Sequence, residues 1–221
     1  MVPTYFRREL RDRALQRPSR LRTFIRMSDH PTSQQKSKWR AEALAARQAL
    51  DPERRILGAK ALARHDLPFE ISNGSVLAGY WPIRSEIDPH PLMEKFAAAG
   101  ARLALPVTVG RDQPLVFREW SPGDPLRRGP LGISEPMPEA PELSPDLLLV
   151  PLAAFDRSGH RIGYGAGHYD RTLEALRRHK GVTTIGLAFA VQEIPKVPAM
   201  PHDVMLDYVL TDIRLFDCRS S

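Results

Sequence analysis

The sequence predicts an α/β fold on a mainly parallel sheet, and three features carry that prediction. Segments with apolar residues three to four apart alternate with short apolar runs bounded by Gly, Pro or Asn. One run, LLLVP at Leu147–Pro151, is apolar throughout, as in a strand buried on both faces. Between it and the next helical segment lies RIGYGAGHYDR (Arg161–Arg171), with Gly163, Gly165 and Gly167 at every second position. Strand, loop and helix in this order form an α/β unit, and ligands in such folds bind beyond the carboxyl ends of the strands.

The elements follow in order. Residues 28–35 read as a polar linker, and Lys36 to Leu50 as a helix with Trp39, Ala43, Ala46 and Leu50 on one stripe. Asp51 caps a second helix that has Pro52 in its first turn and runs to about His65. SVLAGYWP (Ser75–Pro82) reads as a strand and about Pro91–Ala99 as a short helix. Strands are expected at Arg102–Pro106 and Leu115–Trp120. Residues 121–145 hold seven prolines, so most of that stretch is expected to be irregular. So long an irregular stretch in a compact domain is expected to cover something. About Tyr169–Lys180 reads as a helix, followed by the strands TTIGLAF and DYVLT.

Composition narrows the function. The chain of 221 residues is 42% hydrophobic and 26% charged, as in an ordinary globular protein. No apolar run approaches the roughly 20 residues that span a membrane, so no membrane partner is expected. The single cysteine, Cys218, excludes an internal disulfide or multi-cysteine metal site and points to a reducing, cytoplasmic compartment.

The net charge of +6 resides in the tail. Residues 1–26 hold eight arginines against Glu9 and Asp12, while the remainder carries 24 basic and 24 acidic side chains. A nucleic-acid footprint normally lies on the fold, so none is expected on this neutral body. The tail reads as a targeting segment, a basic arm for a polyanion, or an extension without function. Met27 reads as an alternative start. Residues 1–35 are thus expected to be an extension and linker, and residues 36–221 one catalytic domain.

The glycine loop matches neither the Walker A nor the Rossmann spacing. Glycine N–H groups at a helix N-terminus still form an anion site, although a plain tight loop would read the same way. Asp170 reads first as the helix N-cap and, on a sharper reading, as an oxygen ligand for Mg²⁺. Arg171 suits a phosphate clamp or a solvated face, and His168 a proton carrier or a bystander. At about 100° per residue, Lys36, Arg40 and Arg47 form a basic rail beside the apolar stripe. Glu86 follows the carboxyl end of a strand and Pro82, and His202, Asp203 and Asp207 precede another strand, at an edge where caps and ligands look alike.

Together these segments resemble the 5-formyltetrahydrofolate cyclo-ligase (5,10-methenyltetrahydrofolate synthetase) family. KSKWR, YWPIRSEI, VPLAAFDRSGHR with RIGYGAGHYDR, and IGLAF followed by Gln192 and HD occur in the family's order. The resemblance runs from about Lys36 to Asp212. It implies a three-layer α/β/α fold and an ATP- and Mg²⁺-dependent ring closure of a reduced folate. A cytoplasmic monomer is expected. Lys36 and Arg40 would hold ATP phosphates, and the loop Arg161, Gly163, Tyr164, Gly165, Ala166, Gly167, His168 and Tyr169 would wrap ATP. Trp81 and Glu86 would bind the folate, with Tyr164 and His168 touching it from the loop. Asp170 and Asp203 would ligate Mg²⁺. No nucleophile–base pair is assigned, and a phosphoryl-transfer site needs positioning and charge neutralisation more than a nucleophile. Three departures stand out. Ala166 replaces a frequent Lys, Leu152 a usual Gly, and His168 a frequent aromatic residue. The competing reading is a nucleic-acid- or polyanion-binding protein acting through its Arg-rich tail.

Overall fold

The computed structural model describes residues 31–200 and 203–219. Its helices are α1 (Pro31–Gln48), α2 (Pro52–Leu62), α3 (His90–Ala98) and α4 (His168–His179). The first strands are β1 (Val76–Ala78), β2 (Arg102–Val107), β3 (Val116–Glu119), β4 (Leu126–Arg128), β5 (Ser134–Pro136) and β6 (Glu142–Leu143). They are followed by β7 (Leu147–Pro151), β8 (Ala154–Phe155), β9 (Arg161–Ile162), β10 (Thr183–Ala188), β11 (Tyr208–Thr211) and β12 (Leu215–Asp217).

Eight strands form the central sheet in the order β12-β11-β10-β7-β1-β2-β3-β6. The five from β11 to β2 are parallel, β12 and β3 pair antiparallel at their two edges, and β6 pairs antiparallel with β3. Side chains alternate across the sheet and sort into two cores. On one face Leu77, Leu147 and Leu149 join Leu62 of α2 and Leu92, Met93 and Phe96 of α3. On the other, Val76, Ala78, Leu148 and Val150 join Leu173 of α4. The result is the expected three-layer α/β/α arrangement.

Several ends and elements differ from the sequence reading. Helix α1 begins at Pro31, inside the stretch read as linker, because its first turn (PTSQQ) carries no apolar stripe to announce it. Residues 121–145 are less irregular than their prolines suggest: β4 and β5 pair as a hairpin and β6 joins the sheet edge. Pro125, Pro130 and Pro141 fall outside these strands and Pro136 ends one, so proline punctuates the pairing without abolishing it. The antiparallel β12 is an addition that the sequence pattern did not announce.

The order of the strands creates the site. From β1 the chain passes through α3 to β2 on one side, and from β7 through α4 to β10 on the other. The carboxyl ends of β1 and β7 therefore flank a switch point, where outgoing loops diverge and leave a crevice. The loop after β1 carries Trp81 and Glu86, and the segment after β7 carries the glycine loop. No helix among the described residues is long and apolar enough to cross a membrane.

Candidate active site

A cleft of about 1230 Å³ opens at this switch point. Lys36, Arg40, Trp81, Glu86, Tyr164 and Asp203 are among the residues that line it. Helix α1 reaches it because Ala43, with Trp39 beside it, packs on Ala154, Ile162, Ile194 and Val197. That contact turns the basic rail of α1 towards the glycine loop.

At one end the charges are paired. Lys36 Nζ lies 2.5 Å from Asp203 Oδ2, which also accepts the N–H of Met200 at 2.7 Å. Arg40 Nε donates to the carbonyl of Gly163 at 2.7 Å, and burial lowers the guanidinium pKa. Arg161, 7% exposed, donates from Nη1 to Val204 O at 2.5 Å and from Nη2 to Asp170 Oδ1 at 2.7 Å. Burial lowers its pKa, while the charges of Asp170 and Asp203 oppose that shift.

The glycines answer two different demands. Gly165 and Gly167 have φ of 98° and 67°, a region that only glycine enters without strain. Gly163 has no positive φ, and a Cβ built on it would meet nothing within 4 Å. The fold itself thus gives no reason for glycine at 163. Gly167 is also the N-cap of α4, which begins at His168. Asp170 therefore sits in the first turn rather than at the cap, which corrects its N-cap reading. Its carboxylate is favoured there by the helix dipole while it holds Arg161.

At the other end a closed turn holds Glu86. Its Oε2 accepts the Ile83 N–H at 2.9 Å, and its own N–H donates to Ile83 O at 3.0 Å. Arg84, between them, has a strained left-handed φ of 56°. Burial pushes the Glu86 carboxyl above its ordinary range, against the pull of a hydrogen bond from Tyr164, the Ile83 N–H, and the charges of Arg47 and Arg84. Burial and Glu86 in turn raise the Tyr164 phenol, so Tyr164 stays protonated and donates to Glu86. Tyr169, also a cleft residue, is raised by burial and by Glu86. Trp81 stands edge-on to His90 and Trp120, with ring centroids 5.0 and 6.1 Å away.

The remaining candidates divide. Ala166 lines the cleft, and its carbonyl accepts Arg171 Nη2 at 2.6 Å. His168 lines it too, with Nδ1 3.3 Å from Gln113 O. Leu152 is buried in the core, where a Cβ on Gly186 would meet it at 2.7 Å, so this departure does not reshape the cleft wall. Asp207 is spent on Thr184, accepting its N–H at 2.8 Å and its hydroxyl at 2.6 Å, away from the cleft. His202 and the tail lie outside the described residues. The main residue that sequence reasoning left without a role is Arg47, whose Nη1 donates to the Tyr164 hydroxyl at 2.5 Å. Its place on the basic rail was the available signal.

The sheet and the cleft define an α/β enzyme whose site joins a cationic helix, a glycine loop and two cation-held carboxylates. Residues 32–212 match the 5-formyltetrahydrofolate cyclo-ligase family, and the chain belongs to it. It is 32% identical over 180 residues to the 5-formyltetrahydrofolate cyclo-ligase of Escherichia coli K12, spanning 77% of this chain and 97% of that one. The counterpart from Mycolicibacterium smegmatis is 35% identical over 153 residues, spanning 64% of this chain and 76% of that one. A similar solved structure is Aquifex aeolicus 5,10-methenyltetrahydrofolate synthetase. Its TM-score is 0.69 at 31% identity, covering 84% of this chain and 94% of that one. The chain is accordingly an ATP-dependent ligase of folate one-carbon metabolism, with 5-formyltetrahydrofolate cyclo-ligase activity.

Proposed function

We propose that the cleft brings ATP and 5-formyltetrahydrofolate together, with phosphates at the Lys36–Arg40 end and the reduced folate at the Glu86–Trp81 end. A formamide oxygen leaves poorly. Transfer of the γ-phosphoryl group of ATP onto it releases ADP and makes it a leaving group. N10 then attacks the formyl carbon and gives up its proton. Expulsion of phosphate carrying that oxygen leaves the 5,10-methenyl bridge. Such a reaction needs alignment and charge neutralisation. Lys36 and Arg40 supply cations, and the Gly163–Gly167 backbone supplies N–H groups and room. Glu86, Trp81, Tyr164 and His168 orient the folate, and Arg161 serves the site by holding Asp170.

The observation that carries this reading is the convergence of Lys36, Arg40, Gly163 and Asp203 from distant parts of the chain on one cleft. Asp170 and Asp203 fit Mg²⁺, being hard oxygen donors in that cleft. Among the described residues no group of three His, Cys, Asp or Glu could hold a metal. Two carboxylates completed by phosphate oxygens and water suit Mg²⁺ well. Bound there, the ion would neutralise charge on the phosphates. A monomer is the expected state, and the single thiol favours a cytoplasmic setting. A dimer in sedimentation would overturn the monomer.

The test is growth of methenyl-folate absorbance with 5-formyltetrahydrofolate, ATP and Mg²⁺. A rise that requires both ATP and the divalent ion is expected. A rise that survives chelation would remove the metal from the reading, and no rise would remove the reading itself.

A further inference from the structure

Arg47 is 3% exposed, and burying a guanidinium is costly unless its donors are used. Its donors serve two loops. Nε donates to Ser85 Oγ at 3.1 Å, and Nη1 to the Tyr164 hydroxyl at 2.5 Å. Ser85 immediately precedes Glu86, and the Tyr164 hydroxyl passes its own proton towards Glu86. The turn at residues 83–86 follows β1, whereas Tyr164 belongs to the glycine loop. One side chain thus ties the two walls of the cleft to α1, which is itself anchored on the core around Ala43 and Ile162.

We propose that Arg47 is a positioning residue for the folate end of the cleft, its fork holding Ser85 and Tyr164 so that Glu86 and Tyr164 meet the substrate already oriented. The proposal rests on the assignment of that end to the folate. Two points favour it over a general structural role. About 16 Å of helix rise separates Lys36 from Arg47, and about 10 Å separates Arg40 from it, so the relay lies farther along α1 than the phosphate cations. The two bonds also leave from different nitrogens of a planar group, a geometry that a lysine ammonium cannot reproduce. Fixing the loops beforehand removes an ordering cost from substrate binding.

The test compares KM for 5-formyltetrahydrofolate and for ATP in Arg47→Met, Arg47→Lys and Tyr164→Phe, with Glu86→Gln as the reference. In all three the folate KM should rise about tenfold or more, the worth of one hydrogen bond to a charged group, while the ATP KM stays within about threefold. Arg47→Lys should fare no better than Arg47→Met. Tyr164→Phe removes one oxygen from a side chain that is 37% exposed, so it cuts the relay even if Arg47→Met does not fold. Parallel rises in both KM values, or full rescue by lysine, would overturn the proposal. If Glu86→Gln alone raises the folate KM, the relay fails and the folate assignment stands. If Glu86→Gln leaves it unchanged, that assignment fails and takes the relay with it.

Discussion

The ammonium of Lys36 rests 2.5 Å from Oδ2 of Asp203, joining the start of α1 to a segment 167 residues away. Both side chains are about 85% removed from solvent, at 14% and 15% exposure. Each is thus held beside the cleft by the partner it would exchange for a phosphate or a cation. Lys36→Ala should raise the ATP KM about tenfold or more, the worth of a charge-assisted hydrogen bond. The kcat should change less, because contacts made equally before and during transfer affect KM alone. Initial rates against ATP decide it. An unchanged ATP KM would leave the pair as a structural tie.

Gly163→Ala separates a glycine required by the ligand from one required by the fold. Its φ is not positive and no protein atom would touch the new methyl group, so thermal stability should be nearly unchanged. The ATP KM should nevertheless rise, because the methyl group would occupy space offered to the phosphates. Gly165→Ala, with φ at 98°, should instead lose stability by about 1 kcal/mol or more. A Gly163→Ala enzyme with wild-type ATP affinity would return the glycine to a plain loop.

This contrast also shows how far the sequence could be read. The apolar run at Leu147–Pro151 and the stripe on α1 are local patterns, and both elements form where those patterns lie. The hairpin of β4 and β5 was hidden because proline content says little about two strands that need only three residues each. Asp170 was ambiguous because a first-turn carboxylate and a cap differ by three positions, and only backbone geometry gives the capping role to Gly167. Arg47 was visible on the rail, but its partners Ser85 and Tyr164 come from separate loops and meet only when the sheet assembles. Local pattern does not encode such meetings.

Glu86 links stability to function through pH. Its folded pKa is raised, chiefly by burial, above its unfolded value. A group raised in this way contributes stability that is fully present below its unfolded pKa, about 4.3, and is lost as pH rises through the folded pKa. Glu86→Gln removes that loss. The variant should therefore be more stable than the parent at neutral pH and closely matched to it near pH 4. Its folate KM should rise about tenfold, because a neutral amide replaces a carboxylate at a charged contact. Denaturation at the two pH values, beside folate titrations, checks both halves. A variant less stable than the parent at neutral pH would contradict the burial argument.

Asp170→Asn tests the metal assignment against the ion pair this side chain makes with Arg161. Oδ1 accepts from Arg161 Nη2 at 2.7 Å, and the Arg161 side chain is only 5% exposed, with its other donor on Val204 O. An asparagine oxygen can keep that bond, and Asp203 still supplies negative charge to Arg161. The helix start is untouched, because Gly167 holds the cap position. Stability should therefore fall by only about 1 kcal/mol, the net worth of weakening one hydrogen bond. Turnover is governed by another property. Mg²⁺ prefers an anionic carboxylate to a neutral amide, so a metal ligand at this position cannot be exchanged quietly. The expected result is a turnover loss of at least about a hundredfold, near 2.7 kcal/mol of transition-state stabilisation, with the Mg²⁺ requirement moved to higher concentration. A residue that served only to hold Arg161 would give the opposite pattern: near-normal turnover and unchanged Mg²⁺ dependence in Asp170→Asn, with both stability and activity lost in Asp170→Ala. Mg²⁺ titrations of the two variants, run beside their thermal melts, separate a carboxylate that binds the metal from one that only braces its neighbour.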